Sequence, residues 1–475
     1  MASTKKTKIV ATLGPACDSP EMIEKMSVAG VNVFRINFSH AKHEHVRETV
    51  ANIREMNAKL GHNVAILADL QGPKLRVGDM GDGVELIKGN TFTFTTVMCK
   101  GSSEKAYMTY KRFPKDVKVG EKILVDDGKL SFEVINTDGV SEVKTKVLVG
   151  GTLHSKKGVN LPNTNISQPA LTEKDIKDAI FACKIEVDWF ALSFVRTPED
   201  CKDLEKLINK HSDCKIPIIA KIEKPEAVEN IDSIIRSCDG LMVARGDLGV
   251  ELPMEQVPLI QKMLVEKAKS ARIPVIIATQ MMETMINSQT PTRAEVNDVA
   301  NSIMDGADAV MLSGETSVGN FPVLVINQMR RIIVNVEDSP RITVPQRIPH
   351  ILTNRYITKS ICYHAASMAN DVDATAIQTL TNSGYTAFQI SAWRPNADIL
   401  AYTSNKRILS RLNLLWGVKA FFYDKMESTD QTIEDLNKIA KDKNYVKKGD
   451  LVITLSSMPV KEKGMVNTLR LTQLK

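Results

Sequence analysis

The sequence predicts an α/β protein: a (β/α)8 TIM barrel that carries an inserted all-β domain and a smaller C-terminal α/β domain. Three observations lead to this prediction. Eight short β-branched runs alternate with segments of helical length, one long gap between two runs has β character throughout, and the pattern changes again after Pro340. With 475 residues, the chain is long enough for about two to four domains.

The eight runs have the length and the apolar, β-branched composition of buried strands. They are KIVATLGP (8–15), VNVFRINF (31–38), VAILADLQ (64–71), DWFALSFV (188–195), PIIAKIE (217–223), GLMVARGD (240–247), PVIIATQ (274–280) and AVMLSGE (309–315). Helical patterns fill residues 20–29, 41–60, 172–184, 198–211, 226–236, 254–271, 292–305 and 320–335. Strands that alternate with helices favour a parallel sheet, and eight such units favour a closed barrel over an open sheet.

Two stretches interrupt or follow the barrel pattern. Residues 77–165 are rich in Gly, Val, Thr and Lys and contain alternating runs such as TFTFTT, which predict an all-β domain inserted into the barrel. The barrel itself then comprises residues 1–76 and 166–340, close to the ~250 residues usual for this fold. After the proline-bearing segment RITVPQRIPH, a second α/β domain is predicted for residues 350–475.

Composition and charge exclude several classes of protein. The chain is 43% hydrophobic and 25% charged, as soluble globular proteins are, and its net charge of +6 includes no long basic block that would suit nucleic acid. Seven scattered cysteines without a CxxC pair indicate neither a zinc site nor a disulfide framework. The start, MASTKKTKIV, lacks the apolar core of a signal peptide, and no apolar stretch is long enough to span a bilayer. We therefore expect a cytoplasmic protein with neither a nucleic-acid nor a membrane partner.

The carboxyl ends of the eight runs are polar, whereas their interiors are apolar. Active sites of such barrels lie where the strands end and the following loops begin. One polar strand end is explained by surface exposure alone, but seven strands that deliver polar and charged groups to one rim favour a functional site. These residues are Arg35, Asn37, Ser39, Asp69, Ser193, Lys221, Glu223, Arg245, Asp247, Thr279, Gln280, Ser313 and Glu315.

The chemistry of the rim indicates phosphoryl transfer. Glu223 and Asp247 follow neighbouring strands, and two carboxylates without His or Cys suit Mg²⁺, which takes its remaining ligands from substrate and water. Arg35 and Lys221 add cations, of which Arg suits the forked recognition of phosphate and Lys acts as a point charge. The glycines of ARGDLG (244–249) let backbone N–H groups approach an anion. Together these groups are typical of phosphoryl-transfer enzymes; the alternative for Lys221 and Glu223 is a surface ion pair.

Several long motifs of the chain resemble the pyruvate kinase family, and they occur in that family's order. IPIIAKIEKPEAV (216–228) resembles its active-site signature. Further similar motifs are VFRINFSH (33–40), SKKGVNLP (155–162), MVARGDLGVE (242–251), ATQMMETM (278–285) and RAEVNDVANSIMDGADAVMLSGETSVGNFP (293–322). The resemblance covers the whole chain. It implies a catalytic barrel, an all-β lid domain and a C-terminal α/β regulatory domain.

The resemblance also implies an activity and a substrate site. The enzyme would move the phosphoryl group of phosphoenolpyruvate to ADP, giving ATP and pyruvate, as the final step of glycolysis. Lys221 and Arg35 would contact the phosphoryl group, and Glu223 and Asp247 would hold Mg²⁺, or Mn²⁺ in its place. Gly246, Asp247 and Thr279 would bind the substrate carboxylate, and Thr279 would orient the proton donor.

Four further positions match the nucleotide side of the family's site, namely Asn37, His40, Arg76 and Lys157. For His40 the alternative is a cap on the helix that follows. The lid would close over the site and exclude water, which protects the transferring group from hydrolysis. Because family members are mostly homotetramers, the resemblance implies a homotetramer here.

ADLQGPKLRVG (68–78) departs from the potassium-requiring members of the family. Leu70, Gln71, Lys74 and Val77 match the potassium-independent branch, and an ammonium at Lys74 could supply the charge that a bound K⁺ otherwise supplies. Residues matching the K⁺ ligands are nevertheless present, namely Asn37, Ser39 and Asp69. We expect activity that does not require K⁺; the alternative is that Lys74 is an ordinary solvated lysine.

The C-terminal domain contains LTNSGYTA (380–387), which resembles the family's effector-phosphate loop. The residues concerned are Thr381, Asn382, Ser383, Gly384, Tyr385 and Thr386. Hydroxyls and amides there could hold a phosphate at a helix start, or they could form an ordinary helix cap. Because SSMPVKEKGMVNTLRL (456–471) departs from the Gly-Thr-Thr-Asn pattern, control by fructose 1,6-bisphosphate is not expected. Another sugar phosphate, a nucleotide or no effector remain as alternatives.

Two other functions compete with this interpretation. A Schiff-base aldolase would use Lys221 as a nucleophile, which requires a lysine of lowered pKa without a strong carboxylate partner. A catalytically silent regulator that binds phosphometabolites would lack part of the set Lys221, Glu223, Asp247 and Thr279, all of which are present.

Overall fold

The computed structural model describes residues 5–39, 41–339, 355–425, 428–458 and 465–475. Its largest unit is a closed barrel of eight parallel strands, in the order β1-β16-β15-β14-β13-β12-β3-β2. The strands are β1 Lys8–Thr12, β2 Val33–Asn37, β3 Ala65–Asp69, β12 Trp189–Leu192, β13 Ile218–Ile222, β14 Gly240–Ala244, β15 Val275–Ala278 and β16 Ala309–Leu312. The predicted barrel is thereby confirmed.

The barrel strands alternate between two apolar environments, as buried strands of a (β/α)8 barrel do. On β13, Ile219 belongs to the cluster inside the barrel, while Ile218, Ala220 and Ile222 pack in the larger cluster between strands and helices. Lys221 follows Ile219 on the inner face of the same strand. The strand pattern therefore directs the lysine to the barrel mouth.

Helices surround the barrel between its strands. They are α1 Pro20–Ala29, α2 His43–Leu60, α4 Glu173–Lys184, α5 Pro198–His211, α6 Pro225–Glu229, α7 Ile231–Ile235, α8 Arg245–Glu251, α9 Val257–Ala271, α10 Arg293–Asp305, α11 Gly314–Ser317 and α12 Pro322–Glu337. Short 3₁₀ turns lie at Met254–Gln256 and Glu283–Ile286. Capping boxes at Thr172 and Thr292 start α4 and α10 at the residues where the sequence pattern predicts helices.

Two of the predicted runs continue past the end of their strand into a helix. The runs 240–247 and 309–315 were expected to stay extended to Asp247 and Glu315, but β14 ends at Ala244 and β16 at Leu312. The helices α8 and α11 begin at the next one or two positions. The chain turns there because the barrel wall ends, and the polar residues that follow satisfy their backbone groups in a helical turn. Asp247 therefore lies on a helix and not at the end of a strand.

The inserted domain is built from strands that pair separately from the barrel. A six-stranded sheet has the order β11-β7-β8-β9-β5-β6, and β10 pairs with β4. Its core includes Phe92, Phe94 and Phe132, whose ring centroids lie 5.1 to 5.6 Å apart. The elements are β4 Val84–Leu86, β5 Thr91–Thr95, β6 Lys105–Tyr107, α3 Phe113–Asp116, β7 Lys122–Val125, β8 Leu130–Thr137, β9 Glu142–Val149, β10 Gly151–Leu153 and β11 Val159–Asn160.

The C-terminal domain is a five-stranded sheet in the order β19-β18-β17-β20-β21, with β21 antiparallel to its neighbour. Its elements are α13 Tyr356–Asp371, β17 Ala376–Leu380, α14 Tyr385–Ala392, β18 Asp398–Thr403, α15 Lys406–Leu412, β19 Val418–Phe422, α16 Thr429–Asp442, β20 Leu451–Ser456 and β21 Thr468–Gln473. The domain packs against the amino-terminal ends of the barrel strands. There Arg394 forms a buried ion pair of 3.0 Å with Asp308, and Trp189 Nε1 donates to the carbonyl of Arg411 at 3.2 Å.

Candidate active site

Lys221 occupies the mouth of the barrel with three polar partners. Its Nζ lies 2.7 Å from Ser193 Oγ, 2.9 Å from Glu223 Oε1 and 3.3 Å from Asp69 Oδ1. Burial by itself lowers the pKa of Lys221, but the carboxylates of Asp69 and Glu223 outweigh burial and raise the pKa above its ordinary value. The side chain is therefore an ammonium ion in a nearly dry site. A neutral amine, which a Schiff-base aldolase needs, is disfavoured by the same two carboxylates.

Asp69 joins the two cations of the site. Its Oδ2 accepts from Arg35 Nε at 2.6 Å, and the guanidinium also donates to Thr12 Oγ1 at 3.0 Å. Burial alone would raise the pKa of Asp69, but Lys221 and Arg35 together lower it. The family resemblance places Asp69 among residues that match the ligands of a monovalent cation. Its contacts in this structure hold Arg35 and Lys221 side by side.

Glu223 and Asp247 form the carboxylate pair expected from the sequence. Glu223 is 1% exposed, and its Oε2 accepts from the backbone N–H of Phe194 at 2.8 Å. Burial raises the pKa of Glu223, Lys221 opposes this rise, and the charge of Asp247 adds to it. Within the described chain, the Asp247 side chain makes no hydrogen bond or ion pair. Glu223 and Asp247 repel each other, and the oxygens of Asp247 are free to bind a ligand. The pair therefore fits a divalent cation.

The protein supplies only a partial coordination shell. Among the described residues, no group of three or more His, Cys, Asp or Glu side chains is arranged to hold a metal ion. Mg²⁺ binds in this way in phosphate-handling sites, where one or two carboxylates are completed by substrate oxygens and water. The residues present therefore fit Mg²⁺ and do not resemble an all-protein metal cage.

Thr279 has a strained backbone and a structural partner in α8. Its φ is +70°, which a β-branched residue rarely adopts. Its Oγ1 accepts from Gly246 N–H at 2.7 Å and donates to the carbonyl of Ala278 at 2.6 Å. A Cβ at Gly246 would lie 3.3 Å from that oxygen, so glycine permits the close approach. Strain of this kind is held by the surroundings and clusters at functional sites.

Arg245 holds Thr279 in place, a role that the sequence interpretation did not assign. Its Nη2 donates to the carbonyl of Thr279 at 2.8 Å, and the guanidinium forms a two-pronged ion pair with Asp298 at 2.6 and 2.7 Å. Asp298 lies on α10, 53 residues further along the chain. The only sequence signal was the charge of Arg245 beside Gly246; its partner could not be found without the fold.

Of two further residues expected at the rim, Ser193 contacts Lys221 and Glu315 does not. Ser193 Oγ donates to the carbonyl of Leu70 at 2.7 Å and thereby presents its oxygen to Lys221. Glu315 was expected at the rim, but it is buried and accepts from the backbone of Ser313 at 2.7 Å and of Met282 at 3.1 Å. Glu315 therefore orders loops and does not face the Lys221 cluster.

The described residues of the expected nucleotide side have partners other than Lys221. Asn37 Oδ1 accepts from the N–H of Ser39 at 3.1 Å. Arg76 donates to the carbonyl of Lys156 at 2.9 Å, and Lys157 pairs with Asp126 at 2.9 Å, both within the inserted domain and the segment that leads into it. No hydrogen bond or ion pair links these side chains to Lys221 within the described chain. His40 lies outside the described residues.

The segment matched to potassium independence is divided between core and surface. Leu70 and Val77 are buried, Gln71 is half-buried and Lys74 is exposed. Within the described ranges, the Lys74 side chain has no hydrogen-bond or ion-pair partner. It lines a pocket between the lid and the barrel together with Asp247 and Glu251. Its ammonium therefore lies on the same side of the molecule as the carboxylate pair.

The loop resembling an effector-phosphate site connects β17 to α14. Gly384, with φ +86°, precedes the helix, and its N–H donates to Thr381 Oγ1 at 2.9 Å. Thr379 donates to Thr386 Oγ1 at 3.0 Å, and the Arg355 guanidinium lies 4.6 Å from the centre of the Tyr385 ring. Thr381 thus closes a turn just before α14, whose N-cap residue is Gly384 and which has no side-chain cap hydrogen bond. Asn382 and Ser383 are exposed on the same loop.

This arrangement is that of a phosphoryl-transfer enzyme. A desolvated ammonium ion beside a carboxylate pair suited to a divalent cation stabilises the charge on a phosphoryl group during transfer. Comparison with known proteins is more specific. The model of the pyruvate kinase barrel domain matches residues 4–326, and that of the pyruvate kinase alpha/beta domain matches residues 359–472. The chain therefore belongs to the pyruvate kinase family. The expected family and its phosphotransferase class are confirmed.

Relatives and a solved structure agree with this membership. The chain is 43% identical to the pyruvate kinase of Geobacillus stearothermophilus, over 98% of this chain and 80% of the relative. It is 40% identical to the pyruvate kinase of Mycobacterium tuberculosis, over 99% of both chains. A crystal structure of a pyruvate kinase from Cryptosporidium parvum superposes with a TM-score of 0.92 at 35% identity, covering 99% of this chain and 96% of the other.

The family sets the general requirements of the reaction. It uses phosphoenolpyruvate and ADP as substrates, and it generally needs a divalent metal. No helix in the described part of the chain has both the length and the hydropathy to cross a membrane.

Proposed function

We propose that this chain catalyses transfer of the phosphoryl group from phosphoenolpyruvate to ADP, giving pyruvate and ATP in the last step of glycolysis. The observation that carries the proposal is the Lys221 ammonium, buried 2.9 Å from Glu223 and 3.3 Å from Asp69 at the barrel mouth. Charge develops on the phosphoryl oxygens during transfer, and a preorganised cation in a dry site stabilises that charge.

Lys221 and Arg35 are proposed to contact the phosphoryl group from adjacent positions. Both are held by Asp69, so neither needs to reorganise when the negative charge develops. A Mg²⁺ or Mn²⁺ ion held by Glu223 and Asp247 would supply Lewis-acid stabilisation of the phosphoryl oxygens. Ser193, which donates to Leu70 and accepts from Lys221, fixes the direction of the ammonium.

Gly246, Asp247 and Thr279 are proposed to bind the substrate carboxylate. The N–H of Gly246 already donates to Thr279 Oγ1, so a carboxylate that binds here must exchange that hydrogen bond for its own. The Thr279 hydroxyl would then be available to orient the proton that the enolate takes up. The ion pair of Arg245 with Asp298 keeps Thr279 in position during this exchange.

Asn37, His40, Arg76 and Lys157 are proposed to serve the nucleotide. Arg76 bridges to Gly158 beside Lys157, where the inserted domain joins the barrel, so closure of the lid would carry both side chains toward the barrel mouth. Closure also excludes water from the phosphoryl group, which prevents hydrolysis. These roles rest on matched positions and on the place of Arg76 and Lys157 at the junction of the inserted domain and the barrel.

K⁺ is proposed to be dispensable because Lys74 supplies a fixed positive charge near the site. Its location in the lid–barrel pocket beside Asp247 supports this proposal. Asn37, Ser39 and Asp69 remain as oxygen donors, and Leu70 provides a buried backbone carbonyl, so weak K⁺ binding is compatible with the same arrangement.

Three properties beyond the reaction are proposed from the family. The chain would form a cytoplasmic homotetramer, with barrel residues 1–76 and 166–340, lid residues 77–165 and a C-terminal domain from 350 to 475. The loop Thr381–Thr386 would bind an effector phosphate, carried by a sugar phosphate other than fructose 1,6-bisphosphate or by a nucleotide. Isothermal titration with a panel of these compounds tests the loop; absence of heat from all of them would rule the effector out.

The first experiment is to measure pyruvate release from phosphoenolpyruvate and ADP with Mg²⁺, with and without K⁺. We expect activity in both buffers, and Lys221→Met should lower kcat by about 10³-fold or more, because a preorganised charge is lost from the transition state. Activity only with K⁺ would preserve the reaction but overturn the role given to Lys74.

The same assay separates the competing functions. A folded protein that binds phosphoenolpyruvate but releases no pyruvate, with each candidate effector present, would favour the silent regulator. Borohydride trapping of a keto substrate on Lys221 would favour the aldolase. We expect no trapping, because Asp69 and Glu223 keep Lys221 protonated.

A further inference from the structure

A large cleft separates the barrel from the C-terminal domain, at the end of the barrel opposite Lys221. Its volume is about 1180 Å³, and both domains line it. Cys214 lies in this cleft, on the loop that leads into β13. Cys183, at the end of α4, lines the same cleft but is buried.

Cys214 differs from the buried cysteines of the chain. Burial raises the pKa of each of those thiols, to about 11 for Cys183 and about 12 for Cys238 and Cys362. Cys214 is partly exposed, as is Cys99 in the lid. Cys99 has no arginine among its hydrogen-bond partners in the described structure, so it provides a natural comparison.

Two guanidinium groups from the C-terminal domain face the Cys214 thiol. Arg411 Nη2 lies 3.5 Å from Sγ, and the Arg407 guanidinium also interacts favourably with the thiolate. Ser212 Oγ lies 3.6 Å away on the thiol's own loop. Burial alone would raise the pKa of Cys214, but hydrogen bonds from Ser212, Arg411 and Arg407 outweigh burial and lower it. The thiolate is therefore stabilised in a site that solvent reaches.

Charged and titratable groups surround the thiol on every side of the cleft. They include Arg407 and Arg411 on α15, Cys183 and Glu186 at the end of α4, and His211 and Asp213 beside the loop; the cleft is also lined by Arg54, His62, Lys184, Asp188, Lys406, Lys443 and Tyr445. The acidic members are already paired, since Arg407 contacts Asp213 at 2.7 Å and Glu186 at 3.2 Å, and Arg54 contacts Asp188 at 3.0 Å. Arg411 instead donates to the carbonyl of Lys215 at 2.6 Å and to the thiol.

We propose that Cys214 is a site of reversible thiol modification by small anionic disulfides. The Cys214 thiolate attacks one sulfur of the disulfide, a new S–S bond forms, the original S–S bond breaks, and its electron pair leaves on the second sulfur as a thiolate. The guanidiniums attract carboxylates of the incoming disulfide and lower the pKa of the attacking thiol. The mixed disulfide separates Arg411 from Sγ at the joint between the two domains.

The test is the rate of modification of the full-length protein by glutathione disulfide, followed by mass spectrometry of the Cys214 and Cys99 peptides. We expect Cys214 to react at least about tenfold faster than Cys99, with a pH inflection below that of an ordinary thiol. Equal rates at the two cysteines, or reaction of Cys214 only above pH 8.5, the ordinary thiol range, would overturn the proposal.

Variants of Arg411 show whether its guanidinium promotes the reaction of Cys214 or whether the exposure of the thiol alone explains the rate. Arg411→Gln should slow the reaction and move its inflection upward, whereas Arg411→Lys should retain much of the rate because a cation remains. Unchanged rates in Arg411→Gln would contradict the proposal. Because a variant can disturb the domain joint, wild-type protein is also compared with a neutral hydroxyethyl disulfide. A preference for the anionic disulfide that falls as salt is added supports the proposal, and no preference contradicts it.

Discussion

At the residue scale, the buried charges of the site are explained by their partners. Asp69 pairs with both Arg35 and Lys221, and Glu223 pairs with Lys221, so removal of any one of these four charges would leave a buried partner less well compensated. Asp247 lacks such a partner within the described residues. The uncompensated negative charge therefore lies where a divalent cation is needed.

Replacement of Lys74 by Glu tests the proposed substitute for K⁺. The variant carries an acidic side chain in place of the ammonium, so we expect its activity to fall without K⁺ and to recover when K⁺ is added. Steady-state kinetics across a K⁺ titration provide the measurement. Lys210→Glu, an exposed change outside the lid–barrel pocket, is the charge-matched control. Equal K⁺ responses of the two variants would show that Lys74 does not substitute for K⁺.

Replacement of Thr279 by Val tests the hydroxyl separately from the backbone. Val keeps the β-branched shape but cannot accept the Gly246 N–H or orient a proton donor, so we expect kcat to fall by about 10². Thr279→Ser retains the hydroxyl and should keep most of the activity. Comparison of kcat and KM for the two variants gives the result, and equal losses would assign the effect to the strained backbone instead.

At the element scale, α8 connects the carboxylate pair to the lid. Glu251 ends this helix, and its Oε1 accepts from Lys224 Nζ at 2.7 Å and from Asn160 Nδ2 at 2.8 Å. Asn160 lies on β11 of the lid, whereas Lys224 directly follows Glu223. Glu251 Oε2 is buried without a hydrogen bond in the described structure. The position of the lid and that of Asp247 thus depend on one side chain.

Removal of the lid contact should loosen the lid without breaking the ion pair. Asn160→Ala leaves the buried Lys224–Glu251 pair intact, so we expect little loss of barrel stability but faster amide exchange in β11. We also expect KM for phosphoenolpyruvate to rise about tenfold, since closure is less favourable. Hydrogen exchange followed by mass spectrometry, together with kinetics, measures both effects.

Removal of the carboxylate should have a different result. Glu251→Gln leaves Lys224 buried without a countercharge and should destabilise the protein by about 3 kcal/mol in urea unfolding, whereas the pair Lys224→Met with Glu251→Leu should recover much of that loss. If Asn160→Ala and Glu251→Gln changed amide exchange, KM and unfolding free energy alike, the lid contact and the ion pair would not have separate roles.

At the scale of the whole molecule, the C-terminal domain closes the amino-terminal end of the barrel over buried charges. Arg394 pairs with Asp308 at 3.0 Å and donates to the carbonyl of Gly306 at 2.8 Å. Lys269 is buried near the same pair. Burial, aided by the charges of Arg394 and Arg272 and opposed by Asp308, lowers the pKa of Lys269 to about 8.

The lowered pKa of Lys269 predicts the direction of a pH effect on stability. Between about pH 8 and 10.5 the folded protein has released the Lys269 proton while the unfolded chain still binds it. Folding is therefore favoured as the pH rises through this window and disfavoured below it. We expect wild type to gain about 2 kcal/mol relative to Lys269→Met between pH 7 and 10, measured from urea midpoints. Lys210→Met, at an exposed position, is the control, and a pH-independent difference would contradict the assignment.

Much of this architecture could be predicted from the sequence, because it depends on local regularities. The alternation of β-branched runs with amphipathic helices specified eight strands, and the alternation within IPIIAKIE placed Lys221 on the inner face with Ile219. Capping residues such as Thr172 and Thr292 marked helix starts. Strand ends were predicted less well, because the change from β14 to α8 is set by where the barrel wall ends and not by the residues alone.

By itself the sequence determined the family, the barrel and the identity of the charged groups at its mouth, since these are properties of residue type, order and spacing. Only the tertiary structure decided which charges are paired. Asp298 reaches Arg245 across 53 residues, Asn160 reaches Glu251 across 91, and Arg411 reaches Cys214 across 197. Such pairs carry no local sequence signal, because Coulomb and hydrogen-bond energies depend on distance and burial in space, which the chain acquires only when its strands close into a barrel and its domains pack together.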